Sequence, residues 1–311
     1  MNNNLSIFIP TYNRPSILKS NLVNIISQAR EYDIPVHISD DSNNEETKKI
    51  IEEYMKKYNF LYYSQNIPSL GHDRNIVSCL SNKESEYIWL MGDSMSISDN
   101  AIKIILDIIE LESPNIISCG AENRSIEIDS SHIYDKDYIL EKFGWHNTLT
   151  GTTIYSKNAL NFVHDLDLLE CKNFPQISII FKALNKKCSF YWEKKTLIYA
   201  HKDKESYWQN NIFETFIDDF SRAVFYLPPE YSNHLKSKVI PIHSKRAKIF
   251  DLKSLLVLRT EGIFDFKKFK KYYKTFKNNS RTNLLLILVI SIIPKSILIP
   301  IRTFNKSSYK K

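Results

Sequence analysis

The chain has 311 residues with 43% hydrophobic and 13% aromatic content, enough to bury a full core and large for a single domain, so one catalytic-sized domain plus an appendage is expected. Its four cysteines, Cys79, Cys119, Cys171 and Cys188, lie far apart with no CxxC pair, which argues against a zinc site and against a disulfide-stapled secreted scaffold, and suits a reducing cytoplasm. The formal net charge of +7 conceals an asymmetry: residues 234–311 hold 19 Lys and Arg against 3 Asp and Glu, leaving 23 against 32 for residues 1–233. An acidic body does not coat nucleic acid, whereas a basic tail suits phosphate, of lipid head groups or of nucleic acid.

In chain order, no secretory leader is expected from the short polar stretch Met1–Asn4, and the apolar run Leu5–Ile9 predicts a buried strand that breaks into Pro10-Thr11-Tyr12-Asn13-Arg14-Pro15. Ile17, Leu18, Leu22, Ile25 and Ile26 share one face of a helix from Pro15 to about Tyr32. A strand at Val36–Ser39 ends in Asp40-Asp41-Ser42-Asn43, a helix follows over Glu45–Tyr58, and Phe60–Tyr63 forms a third strand. After Gly71 a helix runs to about Ser81, and the fourth strand, Tyr87–Met91, stops at Gly92-Asp93-Ser94. Strands alternating with helices predict parallel βαβ units, so the polar clusters that follow the strands gather along one sheet edge, where open α/β sheets bind ligands.

Helix signals return at Ala101–Glu110 and Gln176–Asn185, and strand signals at Asn115–Cys119, Ser189–Trp192 and Leu197–Ala200, the last leading to His201. Between residues 120 and 160 the pattern weakens into loops around short strands. Long helical patterns occupy Asn211 to about Tyr226 and Ser232 onward, with Lys267, Lys268, Lys270, Lys271, Lys274 and Lys277 interleaved with Phe and Tyr. Leu284–Ile293 is apolar except for Ser291, and Pro294-Lys295 separates it from Ile297–Ile301. A membrane-crossing helix needs about 20 apolar residues, so segment 284–301 is expected to lie in an anionic membrane surface rather than span it. Two alternatives for the tail are a single-stranded nucleic-acid platform and a plain buried helix.

The Pro10–Arg14 segment resembles the opening of family 2 glycosyltransferases of the GT-A fold, where this loop contacts the nucleotide of a sugar-nucleotide donor. Asp40-Asp41-Ser42 stands where that family carries the acidic pair for base and ribose, although Asp-Asp-Ser after a strand also serves as a helix cap. Asn66 and Gly71-His72-Asp73-Arg74-Asn75 resemble the family's N…G…RN segment in the shorter form of bacterial O-antigen and capsule sugar transferases, which would bring Arg74 and Asn75 to the nucleotide from a helix start. Gly92-Asp93-Ser94-Met95 falls where the family has its DxD metal signature. The resemblance makes Asp93 a catalytic and metal-binding residue with Ser94 as a weaker donor, but Met95 replaces the last carboxylate and leaves dependence on Mn²⁺ or Mg²⁺ open.

The resemblance further implies His201 as a metal or diphosphate ligand, with Lys202 and Lys204 supplying charge to the leaving group. The family's Asp base is absent before the helix at Gln176; Gln cannot act as a base, Glu170 is chosen on proximity alone, and Gln176 is assigned to a sugar hydroxyl. The expectation is a GT-A domain over 1–230, with a mostly parallel sheet flanked by helices, and a basic helical region over 231–311. The implied activity is inverting transfer of a sugar from a nucleotide donor to a hydroxyl of a lipid-linked glycan, on the cytoplasmic face of the cell membrane in surface polysaccharide synthesis, without nucleic acid as partner. A catalytically impaired nucleotide- or glycan-binding relative is the alternative that Met95 and Gln176 favour.

Overall fold

The computed structural model describes residues 4–82, 84–201 and 209–298. Its front is the expected alternation: β1 (Leu5–Thr11), α1 (Pro15–Glu31), β2 (Val36–Asp40), α2 (Glu46–Met55), β3 (Leu61–Gln65), α3 (His72–Leu80) and β4 (Tyr87–Leu90). β1 pairs in parallel with β2 and β4, and β2 with β3. Pro15 starts α1, where its missing N–H costs nothing and its fixed φ is already helical.

Beyond β4 the sheet becomes mixed. The chain continues through β5 (Met95–Ile97), α4 (Ala101–Glu112), β6 (Ile116–Ala121), β7 (Ser131–Ile133), α5 (Lys136–Phe143), β8 (Thr153–Ser156), α6 (Pro175–Asn185) and β9 (Phe190–Ala200). The strand order is β3-β2-β1-β4-β8-β6-β9-β5, with β7 also paired to β9. β8 runs antiparallel to both β4 and β6, and β9 is parallel to β6 but antiparallel to β5 and β7. The two expected strands at 189–192 and 197–200 are thus halves of one long strand. Its register against β6 slips between Cys119 and Ala121, where Glu193-Lys194-Lys195 bulges and a Cβ on Gly120 would stand 2.6 Å from Lys195 O.

Alternation along β1 sends Leu5, Ile7 and Ile9 to one face and Phe8 to the other, and each face has its own core. The first contains Leu18, Leu22, Ile25 and Ile26 of α1 and Ile102, Ile105 and Ile109 of α4. The second joins α3, α5 and α6 to the C-terminal helices α7 (Phe220–Phe225), α8 (Asn233–Arg246), α9 (Leu252–Glu261), α10 (Phe266–Asn279) and α11 (Leu284–Ile292). Breaks between these helices follow their sequence: Gly262 ends α9 in the left-handed region at φ 82°, and the Asp265 carboxylate caps α10 by accepting from Lys268 N. Phe213, Phe250, Phe264, Tyr272 and Phe276 form an aromatic cluster that fixes this region to the body.

Candidate active site

The carboxyl ends of β1, β2 and β4 open into a cleft of about 450 Å³, closed on the far side by the 148–150 turn, the start of α6 and Thr215-Phe216. Asp93, on the turn between β4 and β5, stands at its head. Its Oδ2 accepts from Thr11 Oγ1 at 3.1 Å and its Oδ1 from Arg14 Nη1 at 3.2 Å, while Asn21 of α1 donates to its backbone carbonyl at 2.9 Å. The loops after β1 and β2 are stitched together by Asp41 N to Thr11 O at 2.9 Å and Asn13 N to Ser42 Oγ at 2.8 Å. Tyr12 stands at the rim with 53% of its surface exposed.

The two adjacent acids do different work. Asp41 lines the cleft and receives four hydrogen bonds, from Asn66 Nδ2 and Leu70 N on Oδ1 and from Ser69 Oγ and Gly71 N on Oδ2. Burial pushes its carboxyl up, but these bonds outweigh that and hold it below the usual carboxylate range. Asp40, by contrast, is fully buried outside the cleft lining, accepting from Tyr63 Oη at 2.8 Å and Ser42 N at 3.0 Å. As the last residue of β2, paired with Thr11, its side chain is committed to the sheet edge. Asn75 does reach the cleft, yet its amide is tied to Ser39, accepting from Ser39 Oγ at 2.6 Å and donating to Ser39 O at 3.1 Å.

Of the other expected residues, Pro10, Tyr12 and Ser94 line the cleft and Asn13 does not. Gln176 lines it almost fully buried, donating from Nε2 to Thr148 O at 3.1 Å while its Oε1 has no partner. A buried amide oxygen without a donor is costly. His201 adjoins Ser94 through a backbone bond of 2.9 Å but is not in the cleft lining. Arg74 is exposed and lines a second cavity instead, and Glu170 lies exposed on the 167–171 turn, in the lining of neither cavity. Lys202 and Lys204 lie outside the described residues.

The sequence reading missed His72, Ser69, Thr148–Thr150, Thr215 and Phe216 as lining residues. Thr148 also couples the helical region to the cleft: its Oγ1 contacts His243 Nε2 of α8 at 3.3 Å and accepts from Arg124 Nη1 at 3.2 Å. Burial, then the Arg124 charge, pushes His243 down to about 3, so this contact stays neutral at physiological pH. His72 lies inside the Gly71–Asn75 segment that the resemblance marks, without a role of its own there, whereas Thr148–Thr150, Thr215 and Phe216 reach the cleft only through the packing of distant elements.

Residues 6–162, about half of the chain, match the model of the family described as glycosyl transferase family 2. The chain is 29% identical over 133 residues to an abequosyltransferase of Salmonella typhimurium, covering 41% of this chain and 40% of that one. It is 23% identical over 213 residues to a GalNAc(5)-diNAcBac-PP-undecaprenol beta-1,3-glucosyltransferase of Campylobacter jejuni, covering 63% of this chain and 64% of that one. The matches thus span less than two thirds of either relative. In fold, the chain is similar to a mannosyltransferase of Pyrobaculum calidifontis solved with GDP-Man and Mn²⁺, with a TM-score of 0.59 at 12% identity over 93% of this chain and 86% of that one.

Proposed function

The chain belongs to glycosyltransferase family 2, and from that premise we propose that it moves a sugar, with inversion, from a nucleotide donor to a hydroxyl of a lipid-linked glycan during surface polysaccharide assembly. The observation that carries this reading is Asp93, fixed between Thr11 and Arg14 at the head of a cleft that three parallel strands open toward. Tyr12 and the Asp41-braced loop border the base and ribose, Arg14 faces the diphosphate, and Gln176 Oε1 accepts from a sugar hydroxyl. The relative named for a PP-undecaprenol substrate supports a lipid-linked acceptor.

The donor set suits a cation only in company. Asp93 is the sole carboxylate of the Gly92–Met95 turn, and among the described residues no three His, Cys, Asp or Glu side chains gather into a metal site. Mg²⁺ or Mn²⁺ needs only one or two carboxylates when phosphate and water complete its shell, so Asp93 fits an ion that arrives with the donor. Such an ion supplies neutralising charge to the departing diphosphate. Melting curves with UDP, GDP and CDP, each with and without Mn²⁺, test both points. One nucleotide should raise Tm, more so with Mn²⁺, and Mn²⁺ alone should not; a ligand at 100 times its Kd adds about 2.7 kcal/mol. Indifference to every nucleotide would remove the donor site.

Peripheral attachment to an anionic membrane is part of the same proposal. No helix among the described residues is long and apolar enough to cross a membrane. α11 buries Ile287 and Ile290 yet exposes Leu285, Leu286, Val289 and Ile292, and the neighbouring α10 exposes Lys267, Lys270, Lys271, Lys274 and Lys277. Apolar burial contributes about 0.8 kcal/mol per CH₂ and each lysine near an anionic surface about 1 kcal/mol. The full chain should sediment with phosphatidylglycerol vesicles and partly detach in high salt. Replacing Leu285, Leu286, Val289 and Ile292 together with serine should abolish sedimentation without lowering Tm; unchanged sedimentation would rule out this face.

A further inference from the structure

A histidine–aspartate pair occupies the wall between the cleft and a second, more open cavity of about 840 Å³ beside the start of α3. Gly71, His72 and Asn173 line both cavities, and Asp73, Arg74 and Lys172 line only the second. His72 Nδ1 lies 2.7 Å from Asp73 Oδ1, and Asp73 Oδ2 accepts from Asn173 N at 3.0 Å, which pins the carboxylate to the backbone just ahead of α6. A carboxylate only accepts, so Nδ1 is the donor in this pair, and in the neutral imidazole Nε2 is then the basic nitrogen.

Among the described residues, the ionisable groups lining the cleft are Tyr12, Arg14, Asp41, His72 and Asp93. Arg14 cannot take a proton, Asp41 is engaged by four donors, and Asp93 is held by Thr11 and Arg14. Gln176 stands where the family's base is expected and cannot serve, and Glu170 lies outside both cavities. We propose that His72 is the general base, oriented by Asp73, and that the second cavity seats the acceptor. This rests on the sugar transfer proposed above.

In the step, the acceptor hydroxyl gives its proton to His72 Nε2 while its oxygen lone pair forms the bond to the anomeric carbon. The bond from that carbon to the diphosphate oxygen breaks, and its electron pair leaves on the nucleoside diphosphate. The imidazolium then releases its proton to solvent. Asp73 is a positioning residue that fixes the tautomer and stabilises the imidazolium.

The test scores nucleoside diphosphate released by the full chain from a panel of UDP-, GDP- and CDP-sugars, with water as the acceptor. His72→Ala should lower kcat by about 10²-fold or more, bind UDP or GDP as the parent does by calorimetry, and regain turnover with added imidazole. His72→Gln should behave as His72→Ala without rescue, and Asp73→Asn should lower kcat with KM unchanged. Turnover of His72→Ala and His72→Gln within threefold of the parent would overturn the assignment while leaving the transferase reading intact. A parent inert toward every donor would overturn that reading, and the assignment of His72 with it.

Discussion

Asp93→Ala is expected to reduce sugar transfer by about 10² to 10³, the scale for deleting one electrostatic contact at a site of developing charge. The substitution removes the acceptor of both Thr11 Oγ1 and Arg14 Nη1 and takes the only carboxylate from the Gly92–Met95 turn. Asp93→Asn separates the two roles, since an amide oxygen still accepts from Thr11 but brings no charge to the diphosphate or its cation. If Asp93→Asn matches Asp93→Ala in rate while melting like the parent, charge is the contribution. Rates within threefold of the parent for both would show that Asp93 is a turn residue only.

Asp41→Ala carries the largest expected effect on stability together with donor affinity. It strands the Leu70 and Gly71 amides, the Ser69 hydroxyl and the Asn66 amide, each at about 1–3 kcal/mol where water cannot replace the acceptor. The 66–71 loop sets the start of α3, with Gly71 at φ 81°, so its loosening also displaces His72. Tm should fall by several degrees and nucleoside diphosphate affinity by tenfold or more. The pH dependence has a definite sign. The folded carboxyl lies below its unfolded value, so its contribution is complete above the unfolded value and is lost as pH falls through the folded one. Asp41→Ala should therefore flatten the acid limb of the stability curve, and an unchanged limb would show the bonds to be weak. Asp40→Ala is expected to act through packing at the end of β2, because that residue lies outside the cleft lining.

Most of the front half was legible because period-2 and period-3.6 patterns were strong there. Leu5, Ile7 and Ile9 against Phe8 defined the two faces of β1, and the polar residues after β1, β2 and β4 did gather at one edge. β5 and β7 escaped because three residues carry no period, and β9 read as two strands because Glu193-Lys194-Lys195 looks like a turn. Thr11, Arg14, Asp93 and Gln176 were named from the family resemblance at places after strands or at a helix start, and all four line the cleft. Asp40 and Asp41 could not be told apart from composition; the structure separates them by pairing Asp40 with Thr11 in the sheet and releasing Asp41 to the loop. Glu170 was named on sequence proximity and lines neither cavity, whereas His72 lines both, beside the contact that Asp73 of α3 makes with Asn173 ahead of α6.

The most direct test of the account is a crystal structure of the chain soaked with the nucleoside diphosphate that raises its Tm, with Mn²⁺ present. The account predicts density for the base beside Tyr12 and Asp41 and for the diphosphate between Arg14 and Asp93, with the second cavity left to the acceptor. Nucleotide density confined to the cavity at Arg74 and Lys172, with none in the cleft at Asp93, would contradict it.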